Sequence, residues 1–211
     1  MNFGTVILLG LNASMKVEQN LVAPGYYNKV KNKTSTPTNI WQCDSSIHWA
    51  WPYKPSSWAT TQWILFDVLL PLKKTSSQVI PDDNNFSCVL LIRWGNNSIL
   101  LTGDIERSAE VKLLKYYNLP SASVLVAPHH GSKTSSSQLF VDRLKPLHVV
   151  FSAGYRHHFG HPHRDVLSRY KKSGAKLWNT ALDGGITFEW NANGDVVIET
   201  ARESGAKYWW R

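Results

Sequence analysis

Cysteine is scarce in this 211-residue chain. Cys43 and Cys88 are too few for a disulfide framework or a thiolate metal cage, and one optional bridge is the most they allow. Long apolar runs are missing as well. No stretch reaches the roughly 18 apolar residues that span a bilayer, so the sequence offers no transmembrane segment of its own. Met1 to Ala13, with the apolar core Thr5 to Leu11, has the length of a signal-peptide core. It lacks a basic leader and a convincing small-x-small cleavage site, so a buried strand or helix is the better reading. No internal repeat is evident. A content of 43% hydrophobic and 18% charged residues excludes a disordered or fibrous chain. Histidine is almost absent from the first half, where His48 is the one example before residue 129.

What is present is unevenly placed. The 23 Lys+Arg against 15 Asp+Glu give a net charge of +8. Residues 1–105 carry 8 basic and 6 acidic groups, whereas 106–211 carry 15 and 9. A basic field favours polyanions by steering and counterion release, which makes nucleic acid or an anionic membrane a candidate partner; a surface made soluble by lysine is the plainer alternative. Seven of the eight histidines fall between His129 and His163, inside the basic half. The length suits one large domain or two small ones.

Residues 20–60 show neither the 3.6 nor the 2 period, and Lys29 to Asn39 reads as a mobile loop. Five tryptophans follow it (Trp41, Trp49, Trp51, Trp58, Trp63), fit for stacking on bases or for filling the core. From Trp63 the pattern becomes regular. Strands are expected at Trp63 to Leu70, Ser87 to Arg93 and Ser98 to Thr102, the last two joined by a tight turn at Gly95–Asn97. An amphipathic helix follows over Ile105 to Asn118 and a short apolar strand over Ser123 to Ala127. Ser135-x-x-Gln138 looks like a capping box for a helix through Leu144. A strand at His148 to Ser152, a helix begun near Pro162, a strand at Ala175 to Asn179 and a terminal hairpin of Gly185 to Trp190 with Asp195 to Thr200 complete the pattern. This alternation implies an α/β fold with a parallel central set bounded by antiparallel hairpins.

Three polar clusters each follow one of these strands: Thr102-Gly103-Asp104, Pro128-His129-His130-Gly131-Ser132, and His157-His158 through His161-Pro162-His163. In parallel crossover units the carboxyl ends of the strands share one edge, so the clusters should converge. Each has a plain structural reading: Asp104 as a helix cap, one histidine of the adjacent pair packed, His161 capping the next helix. Together, an Asp and imidazoles form a ligand set suited to zinc, manganese or iron.

The strings Leu100-Leu-Thr-Gly-Asp-Ile-Glu106, Val126-Ala-Pro-His-His-Gly-Ser-Lys-Thr-Ser-Ser-Ser137 and Phe159-Gly-His-Pro-His163, with Asn85 to Ile92 before them, resemble the C-terminal metallo-β-lactamase-like domain of ComEC-type DNA-internalisation competence proteins. The resemblance runs from about Cys43 to Ile198. It implies an αββα sandwich, incomplete on its N-terminal side, at 41–203, between a divergent or poorly ordered segment at 1–40 and a tail at 204–211. It also implies a domain that hydrolyses DNA phosphodiesters with a divalent metal, zinc or manganese, while one strand of incoming DNA is internalised. By motif, Asp104, His129, His130 and His161 match metal-ligand positions, with Asp104, His129 and His130 catalytic. Ser132, Lys133, His157 and His163 fall where substrate phosphate is held. The implied partners are DNA and a membrane-embedded channel portion of the same family, the domain lying on the extracytoplasmic side of the inner membrane.

The departure is as informative. Metallo-β-lactamase folds take their first ligands from an H-x-H-x-D-H motif, and none occurs here. The chain therefore reads as the later part of a metal site, incomplete as a stand-alone enzyme. A catalytically inactive DNA-binding or remnant domain and a small-substrate metallohydrolase are the alternatives.

Overall fold

The computed structural model describes residues 45, 48–53, 62–71, 84–155, 159–190 and 195–204. The segment 1–40, the loop at 29–39, Trp41, Trp58 and the tail from 205 lie outside them. Seven strands form one mixed sheet in chain order: β1 (His48–Tyr53), β2 (Gln62–Leu70), β3 (Val89–Trp94), β4 (Asn97–Leu101), β5 (Val124–Val126), β6 (His148–Phe151) and β7 (Lys176–Asn179). β1 to β4 pair antiparallel, and β4 to β7 pair parallel. Helices α1 (Arg107–Tyr116), α2 (Gln138–Leu144) and α3 (Arg164–Lys172) make the three crossovers of the parallel half. Short helices α4 (Thr180–Asp183) and α5 (Ala201–Ser204) flank a separate hairpin, β8 (Ile186–Trp190) with β9 (Val196–Thr200).

Period-two alternation divides the sheet between two cores. Val89, Leu91, Leu100, Leu125, Val149 and Phe151 join the helices' Leu113, Phe140, Val166 and Tyr170 in one cluster. Their neighbours Ile92, Trp94, Ile99, Val124 and Val150 face the hairpin's Ile186, Phe188 and Trp190 in the other. The layers are thus helices, large sheet, small sheet. Each fully buried Leu or Phe contributes about 1.5–3 kcal/mol, so both faces fix the strand register.

Elements expected from periodicity are present, with shifted ends. The segment before β3 is a short helical turn at Asn84–Phe86, and the strand itself begins at Val89. The cap of α2 is Ser137, whose Oγ accepts from the Phe140 amide at 3.4 Å, and not Ser135. Ser135 is fully buried and donates to the Pro128 carbonyl at 2.7 Å. The job expected of a capping box goes to Glu110, a fully buried side chain of α1 whose carboxylate accepts the Ser136 and Ser137 amides. Trp49 stacks on Phe66 at 4.7 Å, a packing role, whereas Trp63 is 56% exposed. Cys88 is disulfide-bonded, and Cys43, the other cysteine of the sequence, lies outside the described residues. Among the described residues no helix is long and apolar enough to cross a membrane.

Candidate functional site

Leu101 pairs with Val126 and Val126 with Val150, so β4, β5 and β6 end level with one another. The loops that follow them meet at this carboxyl edge. After β4, Gly103 turns with φ +57°, and a Cβ there would come within 2.8 Å of Ser87. Its carbonyl accepts the His129 amide at 3.1 Å. The 84–87 turn braces the same loop: the Ser87 hydroxyl accepts the Asp104 amide at 3.1 Å, and Asn85 Oδ1 accepts the Glu106 amide at 3.0 Å.

After β5, His129 and His130 both sit in the left-handed region, at φ 49° and 55°. Side chains there cost of order 1–3 kcal/mol each and persist where surrounding structure over-determines them. The fixing contacts are visible. Gly131 follows at φ +80°, where a Cβ would meet Phe151 and Pro162 at 2.7 Å, and its carbonyl accepts the His163 amide at 2.9 Å.

The two adjacent rings diverge. His130 Nδ1 lies 2.7 Å from the Ser152 carbonyl oxygen, an acceptor only, so Nδ1 is the donor of that bond. Nε2 lies 3.4 Å from Asp104 Oδ1. His129 Nδ1 points the other way, to Glu106 Oε1 at 3.2 Å and Thr134 Oγ1 at 3.3 Å. Thr134 donates to the same Glu106 oxygen at 2.9 Å. The His129 Nε2 is left facing the Asn84 amide nitrogen at 3.5 Å.

The other sequence candidates surround this pair without all joining it. The His161 ring lies 6.0 Å from that of His129 and 6.0 Å from Phe159. His163 caps α3, its Nδ1 accepting the Asp165 amide at 3.2 Å. Ser132 is buried beneath the loop, bonded to Thr134 at 3.2 Å, while Lys133 is exposed. His157 lies outside the described residues. His148 belongs to the core: it is 7% exposed, and its Nδ1 accepts from Trp178 Nε1 at 3.2 Å. Burial, then the nearby Lys176, push its pKa below the ordinary 6.5.

Asp104 and His130 fit part of a metal shell. Ligands about 2.1 Å from a tetrahedral ion stand about 3.4 Å apart, the separation this pair has. The Ser152 carbonyl on the remote ring nitrogen is the usual outer-shell support for such a histidine. Among the described residues, however, no group of three or more His, Cys, Asp or Glu is placed to hold a metal ion. Sequence reasoning missed Glu106, Thr134 and Ser152 as partners of the histidines. Glu106 stood in view two residues after Asp104, but its contact with His129 needs the parallel register to be seen.

The fold and this edge define an α/β domain whose parallel strands collect aspartate and histidine at their carboxyl ends. Competence protein ComA of Neisseria gonorrhoeae is 35% identical over 153 residues, 71% of this chain and 21% of ComA. ComE operon protein 3 of Bacillus subtilis is 34% identical over 107 residues, 51% of this chain and 14% of the relative. Uncharacterized protein YcaI of Escherichia coli is 34% identical over 182 residues, 79% and 24% respectively. Over the shared stretch the chain belongs with the ComEC-type competence proteins. It spans 14% to 24% of the length of these three relatives. No protein-family model matches the chain.

Proposed function

We propose that this chain is the DNA-handling domain of a competence-type DNA-uptake protein, built on a metallo-β-lactamase-like frame, and that its Asp104–His130 edge takes part in phosphodiester hydrolysis. The observation that carries the reading is the 3.4 Å Asp104–His130 pair with His130 anchored on Ser152. The names of the relatives support DNA uptake. The helix–sheet–sheet layering agrees with three of the four layers of an αββα sandwich.

In this reading Asp104 and His130 would supply two of the ligands of a divalent ion, zinc or manganese. A bound ion of that kind supplies an activated water and neutralises charge on the phosphoryl oxygens. The chain's own contribution is placement. Glu106 and Thr134 orient His129 beside the pair, His161 stands next to His129, and exposed Lys133 offers a cation to a phosphate. Ser132 acts from below, through Thr134, and His163 through the start of α3. The Cys88 disulfide supports an extracytoplasmic site of action, because such bonds persist in oxidising compartments. A membrane-embedded channel portion is the proposed neighbour.

The test is elemental analysis of the purified chain with cleavage assays on single- and double-stranded DNA, repeated with an H-x-H-x-D-H segment supplied in trans. Bound metal, salt-sensitive cleavage, and a loss of more than about a hundredfold in Asp104→Ala are expected. Absence of metal and of cleavage in the complemented sample would sink the hydrolase reading. DNA binding that survives both a chelator and Asp104→Ala would instead favour a binding domain without chemistry. That second reading draws on the two-residue ligand set.

A further inference from the structure

The edge opposite the histidines has a different chemistry. Helices α1, α2 and α3 run back against their strands, so all three end where β5, β6 and β7 begin. Backbone bonds lock the connections side by side: Ala122 N to Leu144 O at 2.9 Å, Leu147 N to Ala122 O at 3.0 Å, and Lys176 N to Leu147 O at 2.9 Å. Arg143 donates to Asn118 Oδ1, tying the end of α2 to that of α1.

Six exposed cations crowd this edge: Lys115, Arg143, Lys145, Lys171, Lys172 and Lys176. The last turns of the three helices and the connections to β6 and β7 contain one carboxylate, Asp142, which accepts from Gln138 at 2.7 Å. Cations at helix C-termini offset the macrodipole, which accounts for those within the last turns. It leaves Lys145 and Lys176, beyond the helix ends, unexplained. Lys145 even occupies the left-handed C-cap at φ 39°, a position that favours glycine or asparagine. Among these charges stands Leu147, 63% exposed.

We propose that this amino-terminal edge docks on an anionic lipid bilayer. Charge complementarity draws it to acidic headgroups, each Lys or Arg near such a surface being worth about fivefold in affinity. Leu147 decides between polyanions: the headgroup–acyl boundary gives an exposed leucine an apolar environment, and a nucleic acid backbone does not. Docked this way, the domain holds the Asp104–His130 edge on the far side of the sheet, about 15–20 Å from the lipid along β4. The proposal stands apart from the hydrolase reading and survives its failure.

The test is co-sedimentation of the 211-residue chain with vesicles of phosphatidylcholine alone or mixed with phosphatidylglycerol. Binding is expected with the anionic vesicles only and weakens as salt rises. Replacing Lys171, Lys172 and Lys176 together by Gln lowers the affinity about a hundredfold. Leu147→Ser, which changes no charge, lowers it about tenfold. Arg164→Gln, which removes one charge from the histidine edge, changes it less than about twofold, against about fivefold for Lys176→Gln. All these side chains are exposed, so at pH 7.5 thermal melts move by no more than about 5 °C and separate lost docking from lost fold. Equal binding to neutral vesicles would overturn the proposal. So would equal losses from Arg164→Gln and Lys176→Gln, or a triple variant that loses single-stranded DNA binding yet keeps its vesicle binding.

Discussion

The parallel strands β4 to β7 carry two edges with opposite characters. At their carboxyl ends the chain accepts backbone strain, two consecutive left-handed histidines, to aim Asp104 and His130 at each other. At their amino ends the charged groups are mostly exposed lysines and arginines. One edge is built from directional hydrogen bonds of 2.7 to 3.5 Å around the rings; the other is built from charge density. The first kind of surface binds a small, hard target in one geometry. The second suits a large target of fixed sign whose geometry does not matter. Net charge alone merges the two, because most of the basic excess falls in the half of the chain that also holds seven histidines.

The adjacent histidines give the largest effect with which to break this contrast. If the carboxyl edge is a geometric site, its two rings cannot substitute for each other. His130→Ala removes the partner of Asp104 and is expected to lower manganese or zinc affinity by more than about a hundredfold. His129→Ala leaves Asp104 and His130 in place and costs about tenfold or less. Isothermal titration of each variant with either metal checks this. Equal losses would mean that the edge acts as a diffuse cluster, like its opposite.

A second effect, in stability, concerns how the histidine loop is held. Glu110 reaches from α1 to the two amides that precede α2. Glu110→Ala leaves both N–H groups without their acceptor, at about 1–3 kcal/mol each, so a loss of about 2–6 kcal/mol is expected in denaturant melts. Lys112→Ala, in the same helix but exposed, is expected to stay within about 0.5 kcal/mol. A comparable loss in both would show that helix propensity, and not the buried carboxylate, sets the frame.

Glu110 also marks the limit of what the sequence makes legible. Strands β2 to β7, the crossovers and the terminal hairpin follow from apolar runs and turn residues, most plainly in β3 to β6, which are buried over most of their length, whereas β1, at His48–Tyr53, falls in a stretch whose sequence shows no strand period. The convergence of Asp104 with the histidine pair follows from topology alone. The buried Glu110 does not, since a charge between apolar helix positions reads as solvated unless the loop it caps is known. His148 is hidden for a similar reason. The sequence places it at the head of a strand without saying which face it takes, and the alternation of β6 turns it toward Trp178 and Phe188.

His148 supplies the smallest effect, and it ties the two edges together. Its folded pKa lies below the unfolded value of 6.5 because burial penalises the imidazolium and Lys176 repels it. Below pH 6.5 the unfolded chain therefore takes up a proton that the folded chain resists. Stability from this group is full above 6.5, falls as the pH drops from there toward the folded pKa, and is constant below that. Thermal melts across this window should show the decline in the parent chain. His148→Gln, which keeps an acceptor for Trp178 without titrating, should lack that part of it. Lys176→Gln should make the decline shallower, since removing the lysine lets His148 protonate more readily in the folded state. A decline that is unchanged in His148→Gln would show that His148 is not the group behind it. An unchanged decline in Lys176→Gln would show that the cationic edge is screened from the core, and that its field acts outward only.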